Sequence, residues 1–397
     1  MVSADRAAGF PSTSVVSNTR QASYALVTES DFDVVLESPN VFWGDTHWLA
    51  LIHLLRNGDI WNTHFRLFFE GGTALSKRRL NTWTFRLLRW VGIRIVAAPL
   101  GSDVAYRDTF RDRFDWVGRM QSDYPEWDLV RHGELTRERV ELFCRYAHVI
   151  IGNDSTVARF LPRNDIFFKC FPADCSSSPP RVAVQRERPL VIHAPNHRNV
   201  KGSDYLISAV DRLRSRGIEC DLVLVEGMEH EEALRVFESA DIIADQFIMG
   251  AYGVFALEAM AMGKTVLTYL DHEHLGNPVF NLPVVNANPE NLEAVLGVLL
   301  QSADLRRRIG AASRASIERF QSVEALAEVW RQIYRHIWWG EGLSLSNTRH
   351  FSPERTARSY TEDPTRAEFW PVDVNDMLHE LETAMRRIHE RREEVVQ

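Results

Sequence analysis

Cysteine is scarce in this chain: four in 397 residues, at Cys144, Cys170, Cys175 and Cys220. No CxxC pair occurs and none of the four stands with histidines at metal-ligand spacing, which excludes a dithiol redox motif and a zinc module. The four are expected to be reduced thiols of a cytoplasmic protein. A basic surplus is missing as well. The net charge is −8, which argues against nucleic acid as a partner. No run of 18 apolar residues is present, so no membrane-spanning helix is expected. The opening residues, MVSADRAAGFPSTSVVSNTR, have no apolar core of signal-peptide type. They are small and polar, and order is not expected over 1–22.

What is present is the composition of a soluble globular protein, 45% hydrophobic and 25% charged. The length exceeds one ordinary core, so two domains are expected. Short apolar runs alternate with helical patterns. FDVVLE (32–37), GDIWNTHF (58–65), GIRIVAAPLGSDV (92–104) and HVIIGND (148–154) read as strands. CSSSPPRVAVQRERP (175–189) has serine, proline and charge without periodicity and reads as a linker. Beyond it, PLVIHA, DLVLVEG, DIIADQF, TVLTYL and LPVVNA read as strands separated by helices. The helix over 202–217 has apolar positions Leu206, Ala209, Val210 and Leu213, with Gly217 as its cap. Strand–helix alternation with nearly continuous apolar strands implies parallel sheets covered on both faces. The expected division is 1–178, 179–340 and a helical extension over 341–397. In that extension Val374, Met377, Leu378, Leu381, Met385 and Ile388 form a stripe, suited to packing on the body or to a partner.

In open parallel sheets ligands sit beyond the carboxyl ends of the strands. Two stretches there carry chemistry. HAPNHRNVKGSDYL (193–206) puts Asn196, Arg198 and Lys201 in a loop ahead of a helix. A planar guanidinium, an ammonium and a helix N-terminus suit a diphosphate; the alternative is a solvated basic loop. GAYGVFALEAMAMGK (250–264) places Gly250 and Gly253 before a helix. The amides of Gly253, Val254 and Phe255 would face an anion, and Glu258 could accept hydrogen bonds from the vicinal hydroxyls of a ribose. The alternative is a buried helix whose glutamate merely faces solvent.

Together these two stretches resemble the donor half of retaining glycosyltransferases of the GT-B fold, family-4 type, over about 189–338. The resemblance implies two Rossmann-like parallel-sheet domains facing a cleft. It implies transfer of a sugar from a nucleotide-diphosphate sugar to an acceptor hydroxyl with retention of configuration, without a metal or other cofactor. Lys201 matches the lysine that contacts the donor diphosphate, and Glu258 the second glutamate of the E-x7-E pattern. Asn196 stands where the family arginine is usual, so Arg198 is the nearest substitute. Gly250 stands where the first glutamate is usual. Leu100 takes the place of a first-lobe histidine, leaving Asp103 of PLGSD as the nearest polar group for catalysis. The acceptor would be a sugar, a lipid-linked or a small molecule. The basic aromatic stretch 74–95 fits a lobe helix or a peripheral membrane contact on the inner face. His64 is either structural or directed at the cleft. Two other readings share the fold: a non-catalytic nucleotide-sugar or partner binder, and a sugar-nucleotide epimerase.

Overall fold

The structure, a computed structural model, describes residues 2–13, 15–17, 34–36, 45–65, 74–101, 103–105, 114–123, 129–166, 168–176, 179–180, 186–270, 283–342 and 383. They form two compact units. The first holds the described residues of Met1–Phe110, Trp127–Pro172 and Leu326–Phe351; the second holds those of Arg111–Glu126 and Ala173–Ala325. The stripe expected over 374–388 lies outside the described residues.

The first unit has two parallel sheets. Strands β1 (Val15–Ser17) and β2 (Val34–Leu36) pair with each other, and β3 (Ile60–Thr63), β4 (Arg94–Ala97) and β5 (Val149–Ile150) lie in that order. Helices Asp45–Asn57, Ala74–Trp90 and Leu129–Tyr146 lead into β3, β4 and β5. The inner faces of the last two bury Phe85, Leu88, Val140 and Phe143, with Trp61 of β3 packed at a tilt against the two phenylalanine rings. Each such side chain contributes roughly 1.5–3 kcal/mol of burial.

The N-terminal segment departs from expectation. Val2–Ala7 is helical, and Asp5 is buried. The Asp5 carboxylate accepts hydrogen bonds from Tyr334 Oη (2.7 Å) and Ser12 Oγ (3.1 Å). The polar residues that suggested disorder are partners for the helix Val323–Trp339. A local reading of residues 1–22 has no access to a tyrosine more than three hundred positions away.

The second unit is a five-stranded parallel sheet: β6 (Leu190–His193), β7 (Asp221–Leu224), β8 (Ile242–Ala244), β9 (Thr265–Thr268) and β10 (Val285–Asn286), in the order β10-β9-β8-β6-β7. The chain runs from β6 outward to β7 and then returns to the other side of β6 as β8. That reversal opens a crevice beyond the carboxyl ends of β6 and β8, the place where open α/β sheets bind ligands. Leu206, Ala209, Val210 and Leu213 of helix Ser203–Ser215 all turn inward, as their spacing predicts. Helix Ala303–Phe320 begins at Ser302, whose hydroxyl accepts from Leu305 N. It then runs so close to the turn after helix Val254–Ala261 that a Cβ at Gly310 would lie 2.1 Å from the Gly263 carbonyl oxygen.

The division differs from the expected one at both ends. Helix Trp116–Asp123 belongs to the second unit although its sequence lies in the first half of the chain. Most of the closing helix Val323–Trp339 belongs to the first unit.

Candidate functional site

The crevice of the second unit is built from the ends of β6 and β8. Strand β6 finishes on His193, fully buried. Its Nδ1 lies 2.7 Å from the Ala244 carbonyl, an acceptor only, so Nδ1 carries the proton and Nε2 accepts from Ser203 Oγ at 2.8 Å. Burial pushes this imidazole down to about 4. His193 is therefore a neutral tie between β6, β8 and the following helix.

After β6 the chain makes one short helical turn, Arg198–Lys201, and Gly202 turns it into helix Ser203–Ser215. Gly202 has φ 76°, and a Cβ there would approach Ile248 Cγ1 to 3.0 Å, so glycine is required on both counts. This kink aims Lys201 at the end of β8. Its ammonium sits 2.6 Å from Asp245 Oδ1, and the other oxygen, Oδ2, accepts from Gly253 N at 2.9 Å. The Asp245 side chain is 0% exposed and that of Lys201 14%. One carboxylate thus fastens the lysine to the N-cap of helix Val254–Ala261.

Lys201 and Gly253 are brought together, but the Gly253 amide is already engaged by Asp245. The amides of Val254 and Phe255 open the helix, where α-helical geometry offers no intrahelical acceptor. Gly253 itself has φ −89°, and a Cβ would meet Lys201 Nζ and the Asp245 carboxylate only at ordinary contact distance, 3.4–3.5 Å. Backbone strain is not what selects glycine here. Gly250 is buried and Asn196 exposed.

Arg198 takes a different direction. Its guanidinium forms a fork with Glu226, the residue just past β7, with Nε–Oε1 at 2.8 Å and Nη2–Oε2 at 2.5 Å. Both side chains are partly exposed. The pair lowers the Glu226 pKa through that hydrogen bond. Glu258 sits about a turn into its helix and faces helix His230–Glu238, with Oε1 3.4 Å from His230 Nε2. Burial raises its pKa, opposed by His230. Phe255 packs on the same helix through Phe237, with ring centroids 4.5 Å apart.

Two residues enter that sequence reasoning missed. Asp245 is one; its signal was an acid ending the apolar run DIIAD. Arg119 is the other. From helix Trp116–Asp123 it donates to Asn199 Oδ1 (3.1 Å) and Tyr205 Oη (3.2 Å), bracing the loop that carries Lys201. Nothing in the local pattern around Arg119 announces this.

In the first unit, the group expected to act in catalysis is engaged otherwise. Asp103 is buried, and its carboxylate accepts from the amides of Leu100 (2.9 Å), Gly101 (2.7 Å) and Phe65 (3.2 Å). It ties the loop after β4 to the loop after β3. His64 donates Nδ1–H to the Ala98 carbonyl (3.1 Å), and burial lowers its pKa.

A cavity of about 690 Å³ opens at the other edge of the second unit's sheet, where Asp241 and Thr265 stand at strand starts. Its Lys264 and Arg306 donate to the carbonyls of Glu238, Leu299 and Leu300, so they serve the fold first. Among the described residues no group of three or more histidine, cysteine or carboxylate side chains could hold a metal ion.

No family model matches the sequence, and no curated protein does. Solved structures do match. Sucrose-phosphate synthase from Thermosynechococcus elongatus is similar over 86% of this chain and 92% of its own, at 13% identity and a TM-score of 0.54. An alpha-glucosyltransferase solved with UDP and a 13-mer DNA is similar over 83% and 91%, at 13% identity and a TM-score of 0.51. At such identity the likeness is one of fold, and the fold it shows, in agreement with the two parallel-sheet units, is the GT-B fold of glycosyltransferases.

Proposed function

We propose that the protein is a glycosyltransferase that moves a sugar from a nucleotide-diphosphate donor to an acceptor hydroxyl with retention of configuration. The observation that carries the reading is the meeting of Lys201 with the N-cap of helix Val254–Ala261 at the switch point of a GT-B fold. An ammonium has three donors. One is held by Asp245, and the other two are free in direction to bind a phosphate oxygen. The Val254 and Phe255 amides, at the positive end of the helix dipole, would bind another. The leaving diphosphate would be stabilised by fixed donors that need no reorganisation as charge develops. Glu258, one turn on, would accept the ribose hydroxyls. Arg198 would contribute only by leaving Glu226, so its part is the smaller one. Asp103 has no reacting part in this scheme.

The donor nucleotide to try first is uridine diphosphate, which one of the matched structures holds. The purified chain is melted with uridine diphosphate and with a panel of nucleotide sugars, because a ligand that binds only the folded state raises its apparent stability. A rise that is lost in Lys201→Ala, followed by release of nucleotide in the presence of an acceptor panel, is the expected result. No shift with any nucleotide diphosphate or nucleotide sugar would end the proposal. A shift without any turnover would favour the second reading, a non-catalytic nucleotide-sugar binder. Gly250 in place of an acid speaks for that reading.

A further inference from the structure

Three exposed tryptophans of the first unit, Trp90, Trp338 and Trp339, stand at helix ends. Helices Asp45–Asn57, Ala74–Trp90 and Leu129–Tyr146 each finish just before the strand they feed. Their C-terminal ends therefore gather at the edge where β3, β4 and β5 begin. The helix Val323–Trp339 ends at the same edge, since the Arg94 guanidinium at the start of β4 lies 5.2 Å from the Trp338 ring. Of the large apolar side chains exposed among the described residues, Leu55, Trp90, Val91, Trp338 and Trp339 lie at or just past these ends. Trp90 is 83% exposed and Trp339 68%. Trp83 and Trp90 are seven positions apart, on one helical face.

The same edge is cationic within an acidic chain. Arg56, Arg89 and Arg145 stand in the last turns of the three helices. Arg86 and Arg89 both reach Tyr146, through its hydroxyl and its carbonyl. Neither contact neutralises charge. The Asp165, Glu341 and Glu141 carboxylates are engaged by Arg163, Arg335 and Arg137, and Asp59 stands just before β3. The field is felt by His148, brought down to about 4 by burial and by Arg89, Arg94 and Arg163. Cations in a last turn complement the helix dipole on their own account. That does not explain tryptophans left in water, where apolar rings are unfavourable.

We infer that this edge of the first unit is a lipid-facing surface that seats the protein on an anionic bilayer, with the Trp90, Trp338 and Trp339 rings at headgroup depth and the surrounding arginines on lipid phosphates. Tryptophan prefers that interfacial layer, and basic side chains near an anionic leaflet each add binding. The rings stand on the ends of two helices with cations around them, the combination that an anionic leaflet takes. No helix among the described residues is long and apolar enough to cross a membrane, so the contact is peripheral. The inference does not depend on the transferase reading, and its test measures neither nucleotide nor sugar.

The full chain is sedimented with vesicles of phosphatidylcholine alone and of an equal mixture with phosphatidylglycerol. Expected is binding to the mixed vesicles only, reduced by added salt. The double variants Trp90→Ser/Trp339→Ser and Arg86→Glu/Arg89→Glu should each weaken it by about tenfold or more. The tryptophan variant should melt where the parent does, because both rings are exposed. Failure of the parent to bind the mixed vesicles, or binding by both variants as tight as the parent's, would overturn the inference. So would a dimer that forms without lipid and dissolves in the tryptophan variant, which would assign the edge to a second copy.

Discussion

Two aspartates, one in each unit, stand at the end of an apolar strand segment and are buried to the same degree. Asp103 gives its carboxylate to three backbone amides. Asp245 divides its own between one amide and the Lys201 ammonium. The first is a closed arrangement: every lone pair in use serves the loop. The second is open, because the lysine it holds still has donors to offer. Position after a strand therefore does not decide whether an acid belongs to a site. What it is bonded to does.

The comparison can be broken most directly by removing the two carboxylates. Asp103→Ala strands two buried amides and one partly buried one, each costing roughly 1–3 kcal/mol, and should destabilise the protein by ~3–5 kcal/mol. Asp245→Ala leaves one amide without its acceptor, while the lysine can turn toward water, and should cost about 1–3 kcal/mol. Denaturant midpoints measure both. A larger loss for Asp245→Ala would mean that the two sites have been assigned the wrong way round.

Lys201→Ala sharpens the comparison at the level of ligand. It removes the cation that the open carboxylate presents, and a charged hydrogen bond of about 1.5–3 kcal/mol corresponds to a ten- to hundredfold loss in affinity for a nucleotide diphosphate. It also leaves Asp245 buried without its counter-ion, so the melting temperature should fall before any ligand is added. Calorimetric titration with uridine diphosphate separates the two effects. Unchanged affinity with lowered stability would reduce the pair to a purely structural role.

Much of the second unit was legible because its signals are local. Strands β6 to β9 and the inward face of helix Ser203–Ser215 follow from period and from glycine caps, as at Gly217 with φ 78°. That Lys201 and Gly253 lie beyond the carboxyl ends of β6 and β8 was legible too. The bonds among them were not. Whether Arg198 turns to the helix tip or to Glu226 depends on where β7 ends in space, and Asp245 looked like part of a strand. The placement of Arg119 and Asp5 depends on partners some eighty and three hundred residues away. Periodicity reports which face of an element is apolar, but not which distant polar group will find it.

Glu258 gives the mildest test, because its reading rests on a proton. To accept ribose hydroxyls it must be ionised, and burial raises its pKa, so acidification protonates it earlier than an ordinary carboxyl. Nucleotide affinity should therefore fall in the pH range just above the usual carboxylate value. The fold should not weaken through this group over the same range. An acid whose pKa is raised on folding binds its proton more tightly in the folded state, so acidification through that pKa favours folding. Glu258→Gln should lower affinity about tenfold at neutral pH and flatten the acid limb. Both proteins are compared in a His230→Gln background, so that the imidazole 3.4 Å away adds no titration of its own. If the glutamine variant keeps the full acid limb, the titrating group lies elsewhere, and Glu258 is a half-buried helix residue with no part in holding the sugar.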